Sequence, residues 1–245
     1  RDSSSSRGLE MCIRDRYDAV NKILINEGIL APKLISQNYK NNYIEIEDFG
    51  DLTVFKKFQK KSINKKIYNK KIINLLISIK NIKTKYQKTF LKTNYKVPDY
   101  SLKKLLDESN LFLDWYLPKY VKRGESRILK IKFNKIFKKL LNNIYYKNKV
   151  FVHRDFHISN LMITKKGLGL IDSQDAVYGN IAYDLASLID DVRFKTDIKT
   201  KKYIFDEFIK KNKQLNLKKF KNDFEILSVL RLSLIHISEP TRRRT

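Results

Sequence analysis

With a single cysteine, Cys12, the chain cannot close an internal disulfide, and it reads as a cytoplasmic protein, not a stapled secreted one. Its three histidines, His153, His157 and His236, add too few donors to that one thiol for a zinc-type cluster. No run of about 18 uninterrupted apolar residues exists, so no membrane-spanning helix is expected. The seven glycines never fall into G-x-G-x-x-G spacing, which leaves no place for a glycine-rich phosphate loop. Acidic residues are also short: 26 Asp and Glu face 52 Lys and Arg, for a net charge of +26. Such a charge can serve nucleic acid or an anionic surface. The lysines, however, are scattered over every predicted helix and are not interleaved with aromatics in one segment. Lys-loading of solvated surfaces by A/T-rich coding therefore accounts for the charge better than a specific nucleic-acid interface does.

Lysine is missing from both ends. Residues 1–16 hold four Arg and no Lys, residues 232–245 three Arg and no Lys, and the stretch between holds every Lys with five Arg. Glu10-Met11-Cys12-Ile13-Arg14-Asp15-Arg16 and the segment from Leu234 to Arg242 look like translated sequencing-adapter fragments. Residues 1–16 and 232–245 are accordingly set aside as non-native tails.

Against these shortages stands one dense segment. His153-Arg154-Asp155-Phe156-His157-Ile158-Ser159-Asn160 is followed by a short apolar hairpin and then by Ile171-Asp172. Phe151 and Val152 lead in as a strand. Leu161 to Thr164 and Leu168 to Ile171 read as two more, joined by Lys165-Lys166-Gly167, a three-residue turn closed by a glycine. That register pairs Thr164 with Leu168, Leu161 with Ile171 and, at the open end, Asn160 with Asp172, about 5 Å apart between Cα atoms. Asn and Asp oxygens suit Mg2+, a hard cation held by few protein ligands plus phosphate and water. Asp155, in the loop that enters the hairpin, can accept or orient the proton of an attacking hydroxyl. Alone, Asp155 or Asn160 would pass for a turn residue. The full spacing with Asp172 points instead to phosphoryl transfer, which asks a protein mainly for positioning and charge neutralisation.

These residues resemble the catalytic loop of the protein-kinase-like superfamily, His-Arg-Asp, four residues, then Asn. Ile171-Asp172-Ser173-Gln174-Asp175-Ala176-Val177-Tyr178-Gly179 and Tyr183-Asp184-Leu185-Ala186-Ser187-Leu188 resemble its aminoglycoside phosphotransferase and choline kinase branch. Within that branch they look closest to bacterial cell-wall sugar kinases, which phosphorylate the anomeric hydroxyl of N-acetylmuramic acid and N-acetylglucosamine. Ile46-Glu47-Asp48-Phe49-Gly50-Asp51 is similar to the family's acidic hinge, and Leu111-Phe112-Leu113-Asp114-Trp115-Tyr116-Leu117 to a further family segment. Two positions depart from the pattern: Ser173 stands where an aromatic residue is usual, and Asn180 where a proline is usual. Asp48-Phe49-Gly50 also spells the protein-kinase metal motif, but it precedes the catalytic loop by about 100 residues, in the wrong order.

The resemblance implies an α+β, protein-kinase-like two-lobed fold. Residues 17–51 would form a truncated small β-rich N-lobe and hinge, and residues 52–231 a mainly helical C-lobe carrying the catalytic β-hairpin. ATP and Mg2+ are the implied cofactors, with backbone groups of Glu47 and Phe49 facing the adenine and Asn160 and Asp172 on the metal. The expected substrate is a small molecule, an amino sugar, with no specific nucleic-acid partner. An aminoglycoside, choline or another amino alcohol is the alternative. A basic nucleic-acid or anionic-surface binder is the alternative of another class. With neither a glycine-rich loop nor a phosphate-pairing Lys strand before Tyr17, the chain is expected to be a fragment, and an inactive kinase fragment is a third reading.

The remaining residues carry weaker signals. Arg154 can hold the loop by pairing with a carboxylate, and His153 packs behind it. His157 lies near the site without partners for a metal. Asp175, three residues past Asp172, is a turn residue or faces substrate or a second Mg2+. Asp184 starts a helix, where its charge suits the helix dipole; in the family this Asp supports the catalytic loop. Trp115 is core or the wall of a sugar pocket. A helix is predicted from Tyr17 to Ile29, ended by Gly28, and two strands over Pro32 to Ser36 and Tyr43 to Glu47, linked through residues 38–42. Helical spacing then recurs through Ile63, Ile67, Ile72, Leu75, Leu76 and Ile79. It recurs from an N-cap at Ser101 through Leu105 to Tyr116, and again through Ile128, Ile131, Ile136, Leu140 and Ile144, stripes expected to face the core. Further helices are predicted over Ile181 to Val192, Tyr203 to Ile209 and Phe224 to Leu230.

Overall fold

The computed structural model describes residues 3–38, 43–147 and 150–238, so most of the predicted link through residues 38–42 lies outside the described residues. The chain divides into two compact units, Arg1–Pro98 with Val150–Tyr178, and Asp99–Lys149 with Gly179–Thr245.

The first unit begins with α1 (Ser3–Asn26), which starts well before Tyr17. Its inner stripe is Ala19, Val20, Ile23 and Leu24, all fully buried. Each such aliphatic side chain contributes about 1.5–3 kcal/mol by leaving water. Gly28 ends the helix as predicted: at φ 76 it donates to Ile25, while Ile29 donates to Leu24, the paired closure that only a left-handed residue allows cheaply. β1 (Leu34–Asn38) and β2 (Tyr43–Ile46) form an antiparallel pair. Ile35 on β1 and Tyr43 and Ile46 on β2 stay exposed; the alternation of Ile44 and Ile46 with Glu45 and Glu47 suggests a half-buried strand, but only Ile44 of the two isoleucines is partly covered. Past the hinge come α2 (Val54–Gln59), capped by Thr53, and α3 (Lys65–Asn81), capped by Asn64. α3 buries Ile72, Ile73, Leu76 and Ile79 but leaves Ile67 exposed. A small hairpin, β3 (Tyr86–Lys88) with β4 (Asn94–Lys96), was not predicted; strands of three residues are too short to show a period.

β5 (Val150–Val152) leads into the catalytic loop and pairs with β8 (Val177–Gly179). Tyr178 anchors this ribbon. Its amide donates to Pro98, its hydroxyl donates to Ile82 at 3.1 Å, and burial pushes the phenol up to about 12. β6 (Leu161–Thr164) and β7 (Gly167–Leu170) form the expected hairpin in a different register. Thr164 pairs with Gly167, and Leu161 with Leu170, so the turn has two residues, Lys165 and Lys166, and Asn160 does not pair with Asp172. Two forces set this register. The Thr164 hydroxyl closes the tighter turn, donating to the Gly167 carbonyl and accepting from the Lys166 amide. The pairing also puts Leu161 and Leu170, both fully buried, opposite each other, and a slip of one residue would turn one of them outward. Both edges are covered: Leu170 donates to Leu30, and Ile163 donates to Leu52.

The second unit is helical. α4 (Leu102–Leu111) is capped by Ser101 as predicted, and runs into a π-helical turn, Phe112–Tyr116, and a 3-10 turn, Leu117–Lys119. α5 (Arg123–Asn142) turns inward through Ser126, Phe137 and Leu141. Ile128, Ile131 and Ile136, expected in the core, are exposed. In a helix built from Ile and Lys, apolar residues fall on several faces, so spacing identifies the helix without identifying its inner side. α6 (Tyr183–Ile189), α7 (Ile198–Lys210) and α8 (Leu217–Ser238) complete the unit.

Asp223 on α8 is the polar centre of this unit. Fully buried, it accepts from the amides of Tyr145 and Tyr146 at 2.9 and 2.7 Å, from Asn180 Nδ2 at 2.7 Å and from Asn222 Nδ2 at 3.1 Å. Asn180 in turn caps the following turn, accepting from the Ala182 amide at 2.8 Å. Its amide side chain makes two bonds that a proline could not make.

Candidate active site

The loop from His153 to Asn160 lies wholly in the first unit, between β5 and β6. Its backbone folds onto the Asp155 carbonyl, which accepts from the His157 amide and from Asn160 Nδ2, both at 3.0 Å. That leaves the half-buried Asp155 side chain with no structural task among these bonds. Ile158–Asn160 forms one 3-10 turn, closed by the Asn160 amide donating to His157 at 2.9 Å.

Asn160 and Asp172 come together although they are not a ladder pair. Ile171 donates to the Asn160 carbonyl at 3.1 Å, and Asn160 Nδ2 lies 3.5 Å from Asp172 Oδ2. The same Nδ2 is 3.2 Å from His157 Nε2. These neighbours direct the amide nitrogen inward, so Asn160 Oδ1 and the Asp172 carboxylate are the atoms a cation would take. His157 thus orients Asn160 and needs no metal of its own. Among the described residues no group of three or more His, Cys, Asp and Glu could hold a metal. An Asn oxygen and one carboxylate suit Mg2+, which takes its remaining oxygens from phosphate and water.

The backbone also marks the site. Four non-glycine residues among those described have positive φ: Lys61 and Lys92 outside the catalytic region, Arg154 at 75° and Asp172 at 65° within it. Such residues cost of order 1–3 kcal/mol and persist only where their surroundings over-determine them. Ser173, the departure from an aromatic, is fully buried and donates to Asn21 on α1. Gln174 Nε2 donates to Asp172 Oδ1 at 2.9 Å, and Asp175 lies 3.4 Å from Arg16.

The hinge is built onto the same hairpin. Phe49 packs against Gly169, where a Cβ would sit 2.7 Å from ring carbons Cδ2 and Cε2, so any side chain there would force the ring to move. Glu47 commits its amide to Lys33 at 2.8 Å, and its carboxylate is 3.8 Å from Lys166 Nζ. Of the Glu47 backbone groups, the carbonyl is therefore the one left to face a base. Asp48 accepts from the Gly50 amide at 2.7 Å in a tight turn.

Two of the remaining sequence candidates lie in the second unit. Asp184 is buried in the first turn of α6. Trp115, on the π-helical turn, is 64% exposed and so is not core. Asn21 and Ser173 were not singled out as site residues; the departure at Ser173 was the one sequence signal that could have drawn attention to them.

His153 is fully buried edge-on to Phe156. Burial holds its imidazole below the usual 6.5, against the opposing pull of Asp155 and Asp172. The unfolded chain therefore binds a proton first, so this contribution to stability is present above about 6.5 and is lost as pH falls below it. Urea unfolding at pH 7.5 and 5.5 should show a drop that is smaller in His153→Gln; an equal drop in the variant refutes the assignment.

The profile of the phosphotransferase enzyme family matches residues 93–209. An N-acetylmuramate/N-acetylglucosamine kinase of Neisseria meningitidis serogroup B is 39% identical over 95 residues, 39% of this chain and 28% of that protein. The same-named kinase of Pseudomonas aeruginosa is 25% identical over 69% of this chain and 47% of its own length. The chain thus spans less than half of either relative. Among solved structures, a choline kinase of Streptococcus pneumoniae superposes with a TM-score of 0.57 at 14% identity, over 90% of this chain and 70% of that one. An aminoglycoside phosphotransferase of Streptomyces rimosus, solved with ADP and streptomycin, gives 0.56 at 12% identity, over 92% and 84%. The chain has the protein-kinase-like fold of aminoglycoside phosphotransferases and choline kinases, with a helical C-lobe and small β-rich N-lobe segments.

Proposed function

We propose that the chain is an ATP- and Mg2+-dependent phosphotransferase acting on a small-molecule hydroxyl, specifically the anomeric hydroxyl of an amino sugar such as N-acetylmuramate or N-acetylglucosamine. The observation that carries phosphoryl transfer is the convergence of Asn160 and Asp172 at the open end of a hairpin entered by Asp155. The names of the two kinases above support the acceptor class.

Asp155 takes the proton of the attacking hydroxyl, its carboxylate held by a loop whose bonds use only its carbonyl. Asn160 and Asp172 hold Mg2+, which when bound neutralises charge on the ATP phosphates. Backbone groups of Glu47 and Phe49 receive the adenine, Phe49 being seated on Gly169. Arg154 and His157 keep the loop in shape, while Asp175 serves substrate or loop support. Trp115 offers an exposed ring on which a sugar can stack. The surplus of basic residues favours approach of a phosphate-bearing ligand.

The test is ADP release from Mg-ATP with N-acetylmuramic acid, N-acetylglucosamine, streptomycin and choline. Turnover confined to the amino sugars supports the reading. Turnover confined to streptomycin or choline refutes the acceptor, and no turnover with any of them refutes kinase activity in this chain.

A further inference from the structure

α1 meets the loop that carries Asp172, and the reaction above uses none of its side chains. Asn21, 2% exposed, accepts the hydroxyl proton of the fully buried Ser173 and donates through Nδ2 to the Pro32 carbonyl at 2.9 Å. One turn earlier on the same face, Tyr17 lies beside Asn21 and Asp172; burial is the main cause raising its phenol pKa, which the Asn21 hydrogen bond lowers and Asp172 raises. The helix therefore touches the loop at Ser173 and next to Asp172.

Asp172 needs such a hold. At φ 65 its backbone is in the left-handed region, which an aspartate enters more readily than most residues but still at some cost. On one side the restraint is the Ile171 amide bonded to Asn160. On the other, the Ser173 carbonyl accepts from Ala176 at 3.1 Å, and the Ser173 side chain is bonded to α1. Without the Ser173 hydroxyl, the Asn21 carbonyl oxygen is buried without that donor, and the residue after Asp172 loses its tie to the helix.

We propose that Asn21, acting through Ser173, is a positioning residue for Asp172, so that the placement of α1 sets the direction in which this carboxylate faces a divalent cation. The inference rests on the metal role proposed for Asn160 and Asp172. Asp172 is then aimed by a helix some 150 residues away in sequence, the separation of the Ser173–Asn21 bond being 152. Removing a partner that orients a metal ligand weakens metal binding by about 10–100-fold.

The test is Mn2+ binding to the full chain in the presence of ATP, followed by the electron paramagnetic resonance signal of free Mn2+, with thermal melting of each variant. Ser173→Ala is expected to weaken Mn2+ about tenfold or more. The double variant Asn21→Leu with Ser173→Ala removes both side chains of that bond, and with Asn21 the donor to the Pro32 carbonyl, so it is expected to melt below the wild-type temperature and still to bind Mn2+ weakly. Affinity restored along with the melting temperature overturns positioning in favour of packing. Wild-type affinity in Ser173→Ala, with affinity lost in Asp172→Ala, overturns the latch and leaves the proposed function standing. Wild-type affinity in Asp172→Ala, or no Mn2+ binding by the wild-type chain with ATP, overturns the metal assignment and the latch with it.

Discussion

Asp155→Asn is expected to lower the rate of phosphoryl transfer by about 10²–10⁴-fold, the usual contribution of a positioned general base. The substitution is nearly isosteric, and the hydrogen bonds that shape the loop go to the Asp155 carbonyl, which an asparagine retains. The melting temperature and ATP affinity should therefore stay close to wild type while kcat falls. An amide can orient a hydroxyl but cannot take its proton, so raising pH within the stable range should not restore the rate. Rate assays with Mg-ATP and an amino sugar check this. Normal kcat in the variant removes Asp155 from the reaction, and a fall in kcat with an equal fall in stability assigns it a structural role instead.

Asp223→Ala is expected to cost about 3–5 kcal/mol of stability, out of the 5–15 kcal/mol typical of a folded domain. The reason is the number of donors converging on it. The Tyr145 and Tyr146 amides and Asn180 Nδ2 would all lose their acceptor in one change. Each buried group left without a partner costs about 1–3 kcal/mol. Asp223→Asn keeps one acceptor oxygen but turns an N–H group toward other N–H groups, so it should recover part of the loss. Urea titrations should show the midpoint falling in the order wild type, Asp223→Asn, Asp223→Ala, with the slope unchanged. An unfolding free energy within about 0.5 kcal/mol of wild type in Asp223→Ala would mean that these donors find other acceptors.

The site was legible where its determinants are local. Asp155 and Asn160 are five residues apart within one loop, and their types and spacing are enough to point to phosphoryl transfer. The helix closure at Gly28 and the cap at Ser101 were legible for the same reason, each depending on a few adjacent residues. The hairpin was legible as a hairpin but not in its register. A two-residue and a three-residue turn both place Gly167 at the bend, and the choice rests on Leu161 and Leu170 sharing a buried face, with Leu30 and Leu52 on the two edges. Ile128, Ile131 and Ile136 misled because an apolar residue at helical spacing identifies a helix without saying which side is covered.

By itself the sequence determined which groups the proposed chemistry would use: a carboxylate to take a proton and two oxygen side chains for a hard cation, within 18 residues of each other. Only the tertiary structure decided how those groups are aimed. Asp172 at a left-handed φ, Ser173 bonded to Asn21, Phe49 seated on Gly169 and Asp223 gathering donors from 77 and 78 residues away all depend on contacts between distant segments. Residue type and spacing carry local chemistry, whereas orientation is set by what packs and hydrogen-bonds against a residue once the chain has folded.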